Sequence, residues 1–201
     1  MLAAETVEGG FCDPVLGGQE IFRAVMGAMA APATIVDVPD LVAPPQPLFA
    51  TAAAIACTLL DGDTSIWLDH VLATDAVRGW LTFQTGAQFA PHAADAQFAL
   101  IGGCEVMPAL DHFEQGLQDY PDRSATLILQ VASLTAGTPL LFTGPGIKEE
   151  AAIAPLGLPA RFADQWVANR ARFPRGVDVI MAAPRAIACL PRTARLTTEE
   201  N

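Results

Sequence analysis

Nine consecutive residues, Thr126 to Leu134 (TLILQVASL), are apolar at nearly every position. A strand with one face in water alternates polar and apolar residues, whereas a run that is apolar in both phases has to be covered on both faces. The chain therefore has to build a sheet with layers above and below it, with this strand at its centre. A second strand is expected over Pro139 to Thr143. Four residues, Thr135 to Thr138, separate the two, so the pair reads as a β-hairpin.

The rest of the chain supplies the layers. From Gly17 to Ala31 the residues Ile21, Val25, Ala28 and Met29 fall at helical spacing, and Pro32 ends that helix. Thr34 to Val38 reads as a strand and Pro39 to Pro47 as a Pro-rich loop. Leu48 to Leu60 is an Ala-rich run whose length favours a buried helix. Thr64 to Leu68 is a short strand. Thr74 is placed to cap a helix that carries Val77, Trp80 and Leu81 and stops at Gly86. Gln97 to Ile101 reads as a strand, Pro108 to Leu117 as a helix, Gln118 to Arg123 as a polar loop and Pro159 to Ala171 as an amphipathic helix with Phe162, Trp166 and Val167 on one side. Val177 to Met181 and Ala186 to Leu190 are strands joined by a Pro184-Arg185 turn. Strands alternating with helices, then hairpins, predict one α/β domain on a mixed sheet flanked by helices. Its expected limits are 17–195, between an N-terminal arm over 1–16 and a C-terminal tail over 196–201.

Composition narrows the partners. The 201 residues carry a formal net charge of −11, with 52% hydrophobic and 16% charged residues, which excludes an intrinsically disordered chain. Nucleic acid and anionic membrane surfaces are disfavoured, because both need a dense basic surface and the one cationic cluster is Arg170, Arg172 and Arg175. The uncharged stretches Leu41 to Leu60 and Ser124 to Ile147 are interrupted by Pro and Gly, and the N-terminus lacks a basic and an apolar signal region. A cytoplasmic chain is expected. Cys12, Cys57, Cys104 and Cys189 form no C-x-x-C pair. Zinc, redox-motif and iron–sulfur readings therefore fail, and free, mostly buried thiols are expected.

Few residues point to chemistry. Thr143-Gly144-Pro145-Gly146-Ile147 follows a strand, and a Gly-rich turn there can aim N–H groups at a phosphate. It is neither a dinucleotide fingerprint nor a Walker loop, Pro145 removes one donor, and a plain tight turn is the competing reading. Arg23 sits on an otherwise apolar helix and Arg192 follows the last strand. Each either binds an anion, together with Gly144 and Gly146, or pairs with a buried Asp such as Asp63 or Asp178, the structural pair being favoured. The single lysine, Lys148, lies beside Glu149 and Glu150, a poor setting for a Schiff base. His70, His92 and His112 share no metal-ligand spacing, so no metal site is expected. Asp69 with His70 at a strand end is the best acid–base pair among them.

Several stretches together resemble one family. They are Phe22-Arg23 with Met29 and Pro32; Asp63-Thr64 with Trp67-Leu68; Phe83 with Thr85; Ser124 to Leu134; Thr143 to Ile147 with Glu149-Glu150 and Ile153-Ala154-Pro155; and Phe173-Pro174, Gly176, Asp178 and Pro191-Arg192-Thr193. In order and spacing they resemble PhnH, a subunit of the bacterial carbon–phosphorus lyase core complex, over about residues 11 to 195. The family's first helix usually ends in Pro-Gly; here Ala33 follows Pro32, which puts a left-handed turn there in question.

The resemblance implies a fold like the large domain of pyridoxal-dependent transferases, without the cofactor-binding residues. It implies a subunit that works with PhnG, PhnI and PhnL to couple a phosphonate to MgATP, giving ribose 1-phosphonate 5-triphosphate and adenine. The carbon–phosphorus bond is then cut by PhnJ with its iron–sulfur cluster. Partners implied are PhnG, PhnI, PhnJ and a second copy of the chain, and no catalytic residues carry over. Three roles follow as expectations. The first is an assembly subunit, docking through arms such as Phe11 to Val15 or Val42 to Leu48. The second is a contributor to an anion site through Arg23, Arg192 and the Gly144 to Gly146 turn. The third, the alternative, is a stand-alone cytosolic α/β enzyme using a Cys or His–Asp pair, which needs a thiol of depressed pKa.

Overall fold

At the centre of the computed structural model, which describes residues 7–197, lies β5 (Thr126–Gln130). Its four residues Leu127 to Gln130 are all buried, as a run apolar in both phases requires. Both of its edges are taken by parallel neighbours, β4 (Phe98–Ile101) and β8 (Asp178–Ala183). Outside β4 come β2 (Ser65–Leu68) and β3 (Gln88–Phe89), also parallel; outside β8 come β9 (Ala186–Leu190) and β1 (Val36–Asp37), both antiparallel to their inner neighbour. The seven-stranded order is β1-β9-β8-β5-β4-β2-β3.

The two-residue period of the strands sorts the core into two halves. Ile66, Leu68, Leu100, Ile128, Ile180, Ile187 and Cys189 face a layer of three helices, α1 (Pro14–Ala30), α2 (Ala50–Leu59) and α3 (Asp75–Thr85). Ala99, Ile101, Leu127, Leu129, Val179, Met181, Ala188 and Leu190 face the other way. That second face is covered by α4 (Phe162–Ala171), by the segment from Cys104 to Phe113, and by a three-stranded antiparallel sheet. Its order is β10-β6-β7, from β6 (Leu140–Thr143), β7 (Ala151–Ile153) and β10 (Arg195–Leu196).

Local chemistry sets several boundaries where the sequence places them. Thr74 caps α3, accepting from the Val77 N–H at 3.2 Å, and Gly86 closes it with φ +72°. Helix α1 starts three residues earlier than its periodicity suggests, because Asp13 Oδ1 accepts from the Val15 and Leu16 N–H groups and Pro14 opens the first turn. Val7 and Glu8 are also tied down. Trp80 Nε1 donates to the Glu8 carbonyl and Gln84 Nε2 to the Val7 carbonyl, each at 2.7 Å. The remainder of the expected arm and tail, 1–6 and 198–201, lies outside the described residues.

Two expectations are overturned. The hairpin from Thr126 to Thr143 does not form: β5 has no free edge, so β6 crosses into the second layer and pairs with β7 and β10. The helix expected over Pro108 to Leu117 is a single 3-10 turn, Leu110–His112. Gln115 Nε2 donates to the Leu110 and Phe113 carbonyls, both at 2.8 Å, and Gly116 turns left-handed at φ +70°. The Leu110 carbonyl that a helix would have used is thus taken by a side chain.

Candidate functional site

In open α/β sheets the ligand crevice lies outside the carboxyl ends of the parallel strands, where successive connections leave toward opposite faces. Here that happens between β2 and β4. After β2 the chain leaves into α3 on the three-helix face, and after β4 it leaves into Cys104–Phe113 on the other. Asp69, at the end of β2, is buried, with Oδ1 accepting from the Leu72 N–H at 3.1 Å and Oδ2 from the Gly103 N–H at 2.7 Å. Gly102 and Gly103 let the two strand ends close up. A Cβ on Gly102 would lie 2.9 Å from Leu72 Cγ, and one on Gly103 2.9 Å from Val71 Cγ2.

Beside this junction, over the ends of β4 and β5, opens a crevice of about 360 Å³. Phe49, Gly102, Gly103, Cys104, Gln130 and Leu156 contribute to its walls. Gln130 bridges the layers: its Oε1 accepts from the Phe49 N–H at 2.7 Å and its Nε2 donates to the Pro47 carbonyl at 3.2 Å. The Cys104 thiol donates to the Gln130 carbonyl at 3.2 Å, and its pKa is pushed up to about 12 by burial first and then by the Asp69 charge. No Lys or Arg lines the crevice, and Glu105 does. Its shape and charge suit a neutral or apolar group better than a phosphate.

The acid–base expectation for Asp69 and His70 is not met as a pair. The Asp69 carboxylate is occupied by backbone N–H groups, and His70 is exposed next to Gly103. His92 and His112 are also exposed. No group of three or more His, Cys, Asp or Glu that could hold a metal ion occurs among the described residues. Burial raises the thiols of Cys57 and Cys189 to about 12 as well, the Asp178 charge adding to the effect at Cys189. None of these three raised thiols, of which Cys57 is only partly buried, is the depressed-pKa nucleophile that a stand-alone cysteine enzyme needs.

The residues expected to hold an anion lie elsewhere. Arg192 and Asp178 sit at the amino end of β8, the opposite edge of the sheet from the crevice. Arg192 Nε donates to Asp178 Oδ1 at 3.1 Å, Nη2 donates to Oδ2, and Nη1 donates to the Pro121 carbonyl at 2.7 Å and the Pro174 carbonyl at 3.4 Å. Its guanidinium is committed to the protein, which is the structural pair. Gly144 and Gly146 have φ +133° and +83°, and a Cβ on Gly146 would lie 2.1 Å from the Ala30 carbonyl oxygen. The turn is packed against the end of α1. Arg23 is exposed on α1 and enters none of the ion pairs among the described residues. The docking arm expected over Val42 to Leu48 is corrected too: Val42 and Leu48 belong to the core. Phe11 packs on that core, its ring over Gly17.

Sequence reading missed Gln130 and Phe49 as neighbours. The available signal was Gln130 itself, the one amide in an otherwise apolar central strand, since a buried polar side chain has to find partners.

Residues 9–197 match the family described as bacterial phosphonate metabolism protein (PhnH). The chain belongs to the PhnH family. It is similar, at 42% identity over 196 residues covering 98% of both chains, to the alpha-D-ribose 1-methylphosphonate 5-triphosphate synthase subunit PhnH of Rhizobium meliloti (strain 1021). It is also similar, at 30% identity over 179 residues covering 89% of this chain and 85% of the relative, to a candidate C-P lyase subunit, HtxG, of Stutzerimonas stutzeri. The backbone settles the turn after α1. Ala33 adopts φ +58° and donates its N–H to the Cys189 carbonyl at 3.1 Å. The left-handed turn that its sequence put in question is kept.

Proposed function

We propose that the chain is the PhnH-type subunit of a bacterial phosphonate ribosyl-triphosphate synthase within the carbon–phosphorus lyase assembly. The observation that carries this is the similarity over 98% of both chains to a relative named as that synthase's PhnH subunit. In this reading the assembled enzyme, a transferase of the cytoplasm used when phosphate is scarce, takes MgATP and a phosphonate and releases adenine. The chain works beside PhnG-, PhnI- and PhnJ-like subunits and pairs with a second copy of itself. Its part is mainly assembly. What supports that is the scarcity of free chemistry: raised thiols, an occupied Asp69 and a committed Arg192. Exposed apolar side chains such as Val15, Phe83 and Val106 offer docking surface. The reading also makes the sheet a relative of the large domain of pyridoxal-dependent transferases with no pyridoxal role for Lys148, which is exposed beside Glu149 and Glu150.

Co-purification tests it. The tagged chain, co-expressed with its genomic neighbours, is expected to hold PhnG-, PhnI- and PhnJ-like subunits in fixed ratio through a high-salt wash. Deleting its gene is expected to abolish growth on a phosphonate as sole phosphorus source. A chain that emerges alone, or a deletion strain that still grows, would overturn the proposal.

A further inference from the structure

A second cavity, sharing no residue with the crevice over the strand ends, lies between α4 and the 3-10 turn Leu110–His112 and has a volume of about 290 Å³. Hydrogen bonds within the fold occupy the carboxamide oxygens on its walls and leave amide hydrogens over. Gln165 Oε1 accepts from the Leu110 N–H at 3.0 Å. That bond fixes which way the amide points, and both hydrogens of Gln165 Nε2 are left without an acceptor among the described residues. Asn169 is 2% exposed; its Oδ1 accepts from the Val177 N–H at 2.8 Å and its Nδ2 donates to the Val177 carbonyl at 2.9 Å. One of its two amide hydrogens is therefore unspent, in a side chain too buried to turn to bulk water. The carbonyls on the facing wall are engaged as well. That of Ala109 accepts from the His112 N–H at 2.9 Å and that of Leu110 from Gln115 Nε2.

Charge points the same way. Two acids line the cavity, and each already has a cation: Asp111 takes Arg172 Nη2 at 3.3 Å and Asp164 takes Arg161 Nε at 3.6 Å. Arg172 also donates from Nη1 to Gln115 Oε1 at 2.9 Å, and its Nε has no acceptor among the described residues. Arg161 and Asp164 are 82% and 74% exposed, a surface pair of little strength, so Arg161 is free to turn inward. The cationic run 170–175 is divided by the fold: Arg170 lies over the Phe173 ring at 4.8 Å, and Arg172 alone reaches this cavity. We propose that the cavity is a binding site for a small organic oxyanion, a carboxylate or a phosphonate on a short apolar body. The oxyanion accepts from Gln165 Nε2, Asn169 Nδ2 and the arginines, and the body rests on Ala109, Leu110 and Ala168. Hydrogen bonds from charged donors to an anion are the strong ones, and a few placed polar groups on an otherwise apolar wall are what fix a small ligand. The site lies apart from the crevice, goes beyond the subunit reading and does not depend on it.

The test titrates the full chain with propionate, ethylphosphonate and propionamide, which share one ethyl body and differ in the head group, by calorimetry and ligand-observed NMR. At least one of the two anions is expected to bind with a Kd of about 1 mM or tighter, more weakly as salt is raised. Which anion binds identifies the source of the oxyanion. Propionamide, the uncharged analogue, is expected not to bind. Gln165→Glu keeps the oxygen that accepts from Leu110 but puts a negative oxygen where the donor stood, and is expected to weaken binding about tenfold or more with the melting temperature unchanged. Ala168→Leu, at an exposed helix position, fills the cavity without disturbing the core and is expected to weaken binding equally. Arg175→Gln, an exposed arginine that does not line the cavity, is expected to leave binding as it is. Neither anion binding at about 10 mM, propionamide binding as well as they do, or affinity untouched by both Gln165→Glu and Ala168→Leu would overturn the site. So would affinity lost in Arg175→Gln, since that would place the anion on the exposed arginines instead.

Discussion

Arg192 grips Asp178 through Nε and Nη2 and at the same time holds the carbonyls of Pro121 and Pro174 through Nη1. One guanidinium therefore ties the start of β8 to the loop that precedes β5 and to the loop that follows α4. The two side chains are only 14% and 20% exposed. Removing one partner of such a pair leaves the other charge poorly solvated, at a cost of about 3 kcal/mol. Arg192→Ala is expected to lower unfolding free energy by that amount in urea denaturation, with Arg192→Lys nearly as damaging because one ammonium cannot reach three acceptors. If instead Arg192→Ala leaves stability within about 0.5 kcal/mol of wild type, its role is not the structural pair described.

Gln130 anchors the turn before α2 in the same manner. It is 6% exposed, and its Oε1 satisfies the Phe49 N–H, the cap position of a helix with no side-chain cap. Gln130→Leu keeps the volume but strands that donor and the Pro47 carbonyl. A buried unsatisfied group costs about 1–3 kcal/mol, so a loss near 2 kcal/mol is expected. Amide exchange should localise the damage: residues 46–52 are predicted to lose protection while β5 keeps its own. Uniform loss across the sheet would mean that Gln130 supports the core rather than the turn.

Much of this fold is legible in the sequence because burial and period agree. The run TLILQVASL announces a central strand, and Thr74 and Gly86 bracket α3 with their own capping chemistry. What fails is everything set by competition between distant segments. The 139–143 strand reads correctly as a strand, yet its partner is decided by β5 having both edges occupied, which no local pattern reveals. The strands β3, β7 and β10 are two or three residues long, too short to show a period. The candidate site suffers in the same way. Arg192 looks like an anion reader until the position of Asp178 beside it is known, and the crevice brings Gln130 and Cys104 together with Gly102, Gly103 and Phe49, residues from distant segments of which the last three have no distinctive chemistry of their own.

Ala33 and Gly146 test how two left-handed positions differ. Ala33, at φ +58°, is 3% exposed, so its methyl group is buried. Replacing it by Gly relieves a strain of about 1 kcal/mol but gives up about 0.8 kcal/mol of buried methyl and adds unfolded-chain entropy. The terms nearly cancel, and Ala33→Gly is expected to change stability by less than about 1 kcal/mol. Gly146 has no such compensation, since a Cβ there would overlap the Ala30 carbonyl oxygen. Gly146→Ala is expected to cost roughly 2–3 kcal/mol, read by the same denaturation. An Ala33→Gly loss as large as that of Gly146→Ala would show that the methyl contact, not the backbone, holds this turn.

The buried thiols predict how stability depends on alkaline pH. Cys104 and Cys189 are raised from the ordinary 9.0 to about 12, burial being the main cause. Between those values the folded chain keeps both protons while the unfolded chain has lost them. The unfolded state thus binds fewer protons, and stability falls as pH rises. Each thiol contributes a slope of about −1.4 kcal/mol per pH unit over that window and nothing below it. Cys57, only partly buried by exposure, is expected to add less. Urea midpoints measured from pH 7 to pH 11 should hold steady to near pH 9 and then drop, and Cys189→Ala should flatten the drop by about one thiol's share. Labelling with a thiol reagent at pH 8 should modify exposed Cys12 rapidly and leave Cys104 and Cys189 intact until the protein unfolds. Fast labelling of Cys104 in the native state would show instead that the crevice beside Gln130 opens to solvent far more often than its hydrogen bonds imply.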